Sequence, residues 1–207
     1  MSALLLLIIP SALAATLTVD ADPDAGADYT SIQDAVDASS DDDVIDIAAG
    51  TYLENVAIDA KDVTLQGADS TTVAIVGDAS SATLSIQDAE VSLAQITFLD
   101  GKRGIVARSS TVVTDGVIIQ NNGGATNGGG MALLEGSQAT IQNSVIQYNS
   151  AGDGGGMYLA SDATAVVQDS NISSNTATGN GGGVVSEGTL TLTRSSLNSN
   201  VADGDGG

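Results

Sequence analysis

The segment FLDGKRGIVAR, residues 98–108, carries the side chains best suited to chemistry in this sequence. Asp100, Lys102, Arg103 and Arg108 lie within it, and Asp115 follows shortly after. Carboxylates can hold a divalent cation, while Lys and Arg can bind an anion or take part in proton transfer. Three of the five basic residues of the chain fall here. The alternative interpretation is an ordinary turn whose basic residues balance the surrounding acids.

The rest of the composition limits the available chemistry. The 207 residues include 26 acidic and 5 basic side chains, which gives a net charge of −21. This charge argues against nucleic acid and anionic membrane surfaces as partners. Histidine and cysteine are both absent. Imidazole bases, catalytic triads, thiolate metal sites and disulfides are therefore excluded.

The N-terminus has the pattern of a secretory signal peptide. The apolar run ALLLLIIP is too short to span a bilayer, and small residues follow at Ala12 and Ala14. We expect residues 1–15 to form the signal peptide, with cleavage after Ala14 or Ala15. Residues 16–207 then form the folded domain, with no transmembrane segment after signal cleavage. The alternative is that the apolar run is a buried first strand.

A short helix is predicted at the start of this domain. Thr30 and Gln33 have the spacing of a capping box, and Ile32, Ala35 and Val36 form one apolar face. We expect the helix to end near Ser39 and to cover an open sheet edge. After the acidic turn 41–43 the apolar period changes to two, which predicts that the remainder is all β.

The second half of the chain is repetitive. Glycine blocks occur at 128–130, 154–156 and 181–183, and another begins at Gly206. An apolar-x-x-Asn element precedes each block, and its Asn residues are spaced by 28, 26 and 25 residues. The elements are Ile118 with Asn121, Ile146 with Asn149, Ile172 with Asn175, and Leu197 with Asn200. A further apolar position precedes each element by five residues, at Val113, Ile141, Val167 and Leu192.

Each repeat contains three short strands: one after the glycines, one ending at the Ile141-type position and one carrying the Asn. Three strands in a turn of about 25 residues predict a three-sided parallel β-helix, in which stacked coils bury what one coil cannot. We expect Asn149, Asn175 and Asn200 to form a ladder of amide hydrogen bonds. The Asn residues suit left-handed turns, and the glycines allow positive φ and close approach of the backbone.

Two resemblances accompany these patterns. The segment IQDAVDAS…GTYLENV, within residues 29–65, resembles the opening of right-handed parallel β-helix proteins of the pectin-lyase-like superfamily. This resemblance implies a polysaccharide lyase or carbohydrate esterase, in which Asp100 and Asp115 would hold Ca²⁺ and the Arg or Lys residues would act on the acidic proton of the sugar. The repeats over residues 118–207 resemble those of polymorphic outer-membrane proteins, which are surface adhesins, with Ile or Leu in place of the family's Phe.

A calcium-binding alternative comes from the Gly/Asp-rich corners. The sequences GDGGG and ADGDGG are similar to the calcium loops of repeats-in-toxin proteins, but Asp153 precedes the glycines instead of following them. We therefore expect no cofactor, with structural Ca²⁺ as the alternative.

The sequence as a whole predicts a secreted or cell-surface scaffold of the adhesion type, without catalytic activity. The expected partner is a polysaccharide or another cell-surface ligand, and the lyase or esterase is the alternative function. The chain ends partway through a glycine block, at Gly207. We expect the repeat array to be truncated there and to continue in the full protein.

Overall fold

The computed structural model describes residues 13–207 and shows a parallel β-solenoid with one short helix. The predicted signal peptide falls mostly outside the described residues. Within residues 13–207, no helix is both long and apolar enough to cross a membrane.

The helix α1 covers Ile32–Ala38. The strands, in chain order, are β1 (Thr16–Val19), β2 (Asp43–Ile47), β3 (Gly50–Leu53), β4 (Val56–Asp59), β5 (Val63–Gly67), β6 (Val73–Val76), β7 (Ala82–Gln87), β8 (Glu90–Ala94), β9 (Thr97–Leu99), β10 (Arg103–Arg108), β11 (Thr111–Asp115), β12 (Ile118–Gln120), β13 (Gly123–Asn127), β14 (Met131–Leu134), β15 (Gln138–Gln142), β16 (Val145–Gln147), β17 (Ser150–Asp153), β18 (Met157–Leu159), β19 (Thr164–Gln168), β20 (Asn171–Ser173), β21 (Thr176–Ala177), β22 (Val184–Ser186), β23 (Thr189–Thr193), β24 (Ser196–Asn198) and β25 (Val201–Ala202).

Three parallel sheets form the sides of the solenoid. Sheet A has the order β1-β2-β5-β8-β11-β15-β19-β23, sheet B the order β3-β6-β9-β12-β16-β20-β24, and sheet C the order β4-β7-β10-β14-β18-β22. Each coil gives one strand to the seven-stranded sheet B, so the described chain makes seven coils. The predicted three-sided parallel β-helix is therefore confirmed.

The later coils contain a fourth sheet that the sequence did not predict. Sheet D has the order β13-β17-β21-β25 and lies between sheets B and C along the chain. Its strands are short and rich in Gly, Ser and Thr, so they carry no alternating apolar pattern. The strands of sheet D lengthen these coils at one corner.

The core consists of columns of inward side chains, one from each coil. On sheet B the column runs Ile75, Phe98, Ile119, Ile146 and Ile172, and all five are almost completely buried. Burying one such side chain contributes roughly 1.5–3 kcal/mol to stability. Small and branched residues suffice because each coil needs to cover only the coil before it.

The sequence-based alignment was wrong by one residue in the first glycine-rich coil. Ile119, not Ile118, pairs with Ile146, and Asn122, not Asn121, bonds with Asn149. Thr114, not Val113, pairs with Ile141, while Val113 faces outward. Thr114 tolerates the inward position because its hydroxyl group lies 3.3 Å from Ser144 Oγ, within hydrogen-bonding distance.

The predicted Asn ladder is confirmed with four members. Asn122, Asn149 and Asn175 each donate from Nδ2 to the Oδ1 of the next ladder Asn, at 3.0 to 3.1 Å, and the last acceptor is Asn200. The same Oδ1 atoms also accept the backbone N–H of the preceding ladder residue. Each amide therefore satisfies buried backbone groups as well as its neighbour.

The left-handed residues of this turn are not the ladder residues themselves. Positive φ falls on the residue immediately before each ladder Asn, namely Asn121, Tyr148, Ser174 and Ser199. At the glycine corners, positive φ is confined to the first glycine of each block, at Gly128, Gly154, Gly181 and Gly206. The following glycines are required by close backbone packing instead.

The helix cap also differs from the predicted capping box. Ser31 is the N-cap, and its side chain accepts from Asp34 N, so Thr30 is not the cap. The carboxylate of Glu54 takes the reciprocal role, accepting from Ser31 Oγ and from the N–H groups of Ile32 and Gln33, each at 2.9 Å. The Gln33 amide instead bonds both backbone groups of Ala57 in β4, which covers this edge of sheet C.

Replacing Glu54 with Ala should loosen the helix without unfolding the solenoid. The change leaves the first two N–H groups of α1 without their acceptor, and losing a cap of this kind costs about 1–2 kcal/mol. Hydrogen exchange at Ile32 and Gln33 should accelerate, while the Asn ladder stays protected. Asp59→Ala, an exposed change at the end of β4, is the control and should shift stability by less than about 0.5 kcal/mol. Unchanged exchange in Glu54→Ala would contradict this role.

Candidate functional site

The structure brings together the three basic residues of the predicted cluster. Lys102 lies directly before β10, Arg103 begins this strand and Arg108 ends it. All three line an outward-facing cleft of about 250 Å³ on sheet C. The three basic residues of the candidate site therefore lie together on one surface of the protein.

The alternation of β10 fixes the direction of Arg108 but not that of Arg103, which has the parity of the core-facing residues and still lines the cleft. Ile105 and Ala107 face the core and are completely buried, so Val106 and Arg108 face outward into the cleft. In register, Arg103 pairs with Ala82 and Arg108 with Gln87 of the preceding coil. The floor of the cleft is apolar, formed by Ala82 and Val106, which pack in a small cluster outside the main core.

Arg103 is the most constrained of the three cations. Its Nε donates to the carbonyl oxygen of Asn127 at 2.8 Å, and the side chain is partly buried. Burial lowers the pKa of the Arg103 guanidinium, and the positive charge of Arg108 lowers it further. Since Arg103 is bonded to a neutral carbonyl, its charge is not neutralised within the protein by that contact.

The other two cations are more exposed. Arg108 Nε lies 3.6 Å from Glu135 Oε1, a distance that makes a weak surface ion pair. Within residues 13–207, Lys102 donates a hydrogen bond from its backbone N–H to Ser81 O, and its ammonium group has no hydrogen-bond partner. The Lys102 ammonium group is exposed at the mouth of the cleft.

The two carboxylates of the predicted cluster lie elsewhere. Asp100 is exposed at the corner after β9, with positive φ, and does not line the cleft. Asp115 ends β11 in sheet A, on another side of the solenoid, and accepts from Asn143 Nδ2 at 2.7 Å. Local patterns could not separate these carboxylates from the basic residues, because a neighbouring position in a coil can face a different side.

Sequence reasoning also missed polar and aromatic groups on this face. Ser81, Ser85 and Thr126 line the cleft with hydroxyl groups. Tyr158 stands on the same outward row as Val106, two strands further along sheet C. Its hydroxyl donates to Glu187 Oε1 at 2.8 Å, and this hydrogen bond raises the pKa of the Tyr158 phenol. Tyr158 follows Met157 in an alternating strand, a signal from which its outward direction could have been inferred.

The two remaining basic residues already have partners. Lys61 donates from Nζ to Val36 O and Asp37 O at the end of α1. Arg194 makes two hydrogen bonds of 2.7 Å to the carboxylate of Asp169. Together these two residues account for every Lys and Arg outside the cleft. The cleft therefore gathers the three cations that lack a close contact of this kind with a carboxylate or with two carbonyl oxygens.

Two acidic regions contrast with the cleft. Asp42, Asp62 and Glu90 border a shallow concavity on sheet A, where the Asp62 carboxylate accepts the Glu90 N–H. At the glycine corner, Asp153 Oδ1 accepts the Asn180 N–H, and Asn180 Oδ1 accepts that of Asp205. Across residues 13–207, no three acidic side chains are grouped closely enough to hold a metal ion together. The carboxylate of Asp153 joins successive coils by a hydrogen bond. Calcium dependence stays a prediction, which a chelator titration would test.

Comparison with known proteins identifies the architecture. The family model described as "Right handed beta helix region" matches residues 49–206. An alginate lyase from Paenibacillus sp. str. FPU-7 superposes with a TM-score of 0.56 at 15% identity, over 87% of this chain and 76% of that chain. A mutant pectin methylesterase in complex with a hexasaccharide superposes with a TM-score of 0.58 at 12% identity, over 92% and 81%.

These structural similarities establish the fold and leave the activity open, since one fold hosts many functions. No curated protein sequence gives a significant match. The expected resemblance to right-handed parallel β-helix proteins is confirmed. The finer resemblance to polymorphic outer-membrane repeats stays a prediction. With a family match across most of its length and a parallel solenoid of stacked coils, the chain belongs to the right-handed β-helix family.

Proposed function

We propose that this protein is a secreted or cell-surface β-helix that binds an acidic polysaccharide in the cleft on sheet C without cleaving it. The observation that carries the proposal is the gathering of Lys102, Arg103 and Arg108 around one cleft in a chain of net charge −21. The two structural neighbours, an alginate lyase and a pectin methylesterase in complex with a hexasaccharide, support a carbohydrate ligand. The signal-like N-terminus supports secretion.

The net negative charge of the protein does not prevent such binding. At physiological ionic strength the Debye length is about 8 Å, so the charges nearest the ligand dominate. Guanidinium groups form paired hydrogen bonds with carboxylates, which suits uronate residues. The apolar floor at Val106 and the hydroxyl groups around it suit the remaining sugar surface. An acidic polymer is therefore favoured over a neutral one.

The residues that line the cleft favour binding without catalysis. They are Ser81, Ala82, Ser85, Lys102, Arg103, Val106, Arg108 and Thr126. None of them is a carboxylate, whereas Asp100 and Asp115 lie away from the cleft. The acidic pair expected from the lyase resemblance is therefore not assembled on this face. Binding requires only the cations and hydroxyl groups that are present.

Replacing Arg103 with Ala should weaken binding of oligogalacturonate by about tenfold or more, because a charge-assisted hydrogen bond contributes roughly 1.5–3 kcal/mol. Lys102→Ala should have a smaller effect, since its ammonium group is solvated. Isothermal titration calorimetry with an oligogalacturonate and with its fully methyl-esterified form measures both the affinity and the charge preference. Arg194→Ala, which removes a cation paired with Asp169, is the control and should bind like the parent.

Equal affinity for the charged and the esterified oligosaccharide would overturn the proposal. So would unchanged binding by Arg103→Ala in a protein that remains folded. Alginate oligosaccharides provide a second acidic ligand, which tests whether the cleft recognises the negative charge alone or also the type of sugar.

A lyase is the second candidate function, and one observation favours it. Burial and the neighbouring Arg108 lower the pKa of Arg103. A lowered pKa makes the neutral guanidine, which is the form that can accept the acidic proton of a uronate, easier to reach. Incubation with polygalacturonate or alginate, followed by ultraviolet absorbance of the unsaturated product, separates the two functions. Product formation that disappears in Arg103→Ala would replace the binding proposal with the lyase.

A further inference from the structure

The first strand of the described chain is anchored through an unusual contact at its beginning. The backbone N–H of Ala15 donates to Asp43 Oδ1 at 2.6 Å, across 28 residues of sequence. Directly beside it, Ala15 O accepts the N–H of Val44 at 2.8 Å. Ala15 is therefore the first residue joined to sheet A, and a carboxylate takes its N–H group.

Asp43 is well suited to receive a positive charge. The residue is only 6% exposed, and Oδ2 accepts the Ser40 N–H at 2.8 Å. The hydrogen bonds from Ser40 and Ala15 and the charge of Lys61 lower the pKa of Asp43. A buried, ionised carboxylate is costly unless it is paired. The backbone amide of Ala15 supplies a hydrogen bond to it but no charge.

The sequence around Ala15 supplies a way to create that charge. Ala12 and Ala14 stand at the −3 and −1 positions relative to the Ala14–Ala15 bond, which is the small-residue pattern of signal cleavage. Cleavage one residue later would place the larger Leu13 at −3 and would remove Ala15, together with both of its contacts to β2. The sequence pattern and the structure therefore select the same bond.

We infer that the signal peptide is removed between Ala14 and Ala15, and that the new α-ammonium group of Ala15 forms an ion pair with Asp43 that fastens β1 to sheet A. The inference rests on the secretion included in the proposed function. Hydrolysis breaks the C–N bond: water supplies the hydroxyl group of the Ala14 carboxyl and a proton to the Ala15 amine. A host signal peptidase carries out this step, and Asp43 acts only as the acceptor.

The ion pair makes the stability of the fold depend on pH, because the α-amine loses its charge at high pH and Asp43 loses its charge at low pH. An α-amino group has an ordinary pKa of about 7.7–8.0, and an adjacent carboxylate favours its charged form. The contribution of the α-ammonium group to stability should be complete below that range and lost as the pH rises through its raised pKa in the folded protein. The contribution of Asp43 is present above its ordinary pKa and is lost as the pH falls through its lowered value. Other charged groups near Asp43 are Lys61 and the turn carboxylates of Asp41, Asp42 and Asp62.

N-terminal sequencing and intact mass of the protein exported by a bacterial host test the cleavage. We expect the exported chain to begin at Ala15. A chain that begins at Thr16 overturns the inference but leaves secretion intact. A chain that keeps Met1 overturns both the inference and secretion, whereas oligosaccharide binding by the cleft is measured separately and is unaffected.

The pairing is tested on the mature chain that begins at Ala15. Acetylating the α-amine keeps its N–H donor and removes only the charge, and Asp43→Asn keeps an oxygen acceptor and removes the opposite charge. Either change should accelerate hydrogen exchange of the Val44 amide about tenfold near pH 7, and combining them should add little. Asp46→Asn, an exposed change on the same strand, is the control.

Two results would overturn the ion pair. One is unchanged Val44 exchange after acetylation. The other is an equal effect of acetylation in the parent and in Asp43→Asn, because the two charges would then act independently.

Discussion

Replacing Asn149 with Ala is expected to lower the free energy of unfolding by about 3–5 kcal/mol, a large effect for one side chain. The Asn149 amide is 1% exposed and makes four hydrogen bonds. Its Oδ1 accepts from the backbone N–H and from Nδ2 of Asn122, and its Nδ2 donates to Ile119 O and to Asn175 Oδ1. Alanine leaves several of these groups buried without a partner, each at a cost of about 1–3 kcal/mol.

The position of Asn149 in the middle of the ladder adds a second expectation. Stability in a solenoid is the sum of each coil and its interfaces with neighbouring coils, so a weakened interface can separate the array into two cooperative units. Urea unfolding of Asn149→Ala should therefore broaden or split, with early loss of protection in the later coils. Gln147→Ala is the control, because Gln147 is an amide on the outward side of the neighbouring strand β16. A similar loss of stability in both variants would contradict the role assigned to the ladder.

Replacing Gly155 with Ala is expected to destabilise the protein by about 3 kcal/mol or more, or to prevent folding. A Cβ at Gly155 would collide with the backbone carbonyl oxygens of Thr176 and Gly182 in the next coil. Backbone atoms held in a sheet cannot move aside as a flexible side chain can, so the strain remains in the native state. The next coil would have to separate from this one at the glycine corner.

Gly123→Ala provides the matched comparison. The nearest atom to a Cβ at Gly123 is the hydroxyl oxygen of Ser150, at the end of a side chain that can rotate. We expect Gly123→Ala to express as a folded protein with a cost of about 1 kcal/mol or less. Circular dichroism and urea unfolding of the two purified variants measure the difference. Comparable stability of the two would show that the corner packing is looser than the backbone geometry indicates.

Much of the fold could be predicted because its main signal repeats. The spacing of Asn149, Asn175 and Asn200 was enough to predict both the coil length and the amide ladder. The same reasoning failed by one residue in the preceding coil, where IIQNN offers two Ile and two Asn residues. Only the three-dimensional register, which buries Ile119 and Asn122, decides between them.

Features that depend on distant residues could not be read from local patterns. The helix cap was assigned to Thr30 and Gln33 because a capping box is local, but the carboxylate comes from Glu54, 23 residues from Ser31 in sequence. The candidate site shows the same limit. Arg103 and Arg108 share one strand, which Lys102 directly precedes, so the three lie together, whereas Asp115 belongs to the next strand and faces another side of the solenoid.

The orientation of the ladder amides gives assembly of the solenoid a direction. In all three links of the ladder, Nδ2 of one Asn donates to Oδ1 of the Asn in the next, C-terminal coil, so these bonds run head to tail along the axis. Aligned hydrogen bonds polarise one another, and each link strengthens its neighbours. A coil such as that of Asn149, once folded, presents a fixed amide donor as a template for the next Asn oxygen. Since a ribosome releases the N-terminal coils first, the ladder can elongate in the order of synthesis.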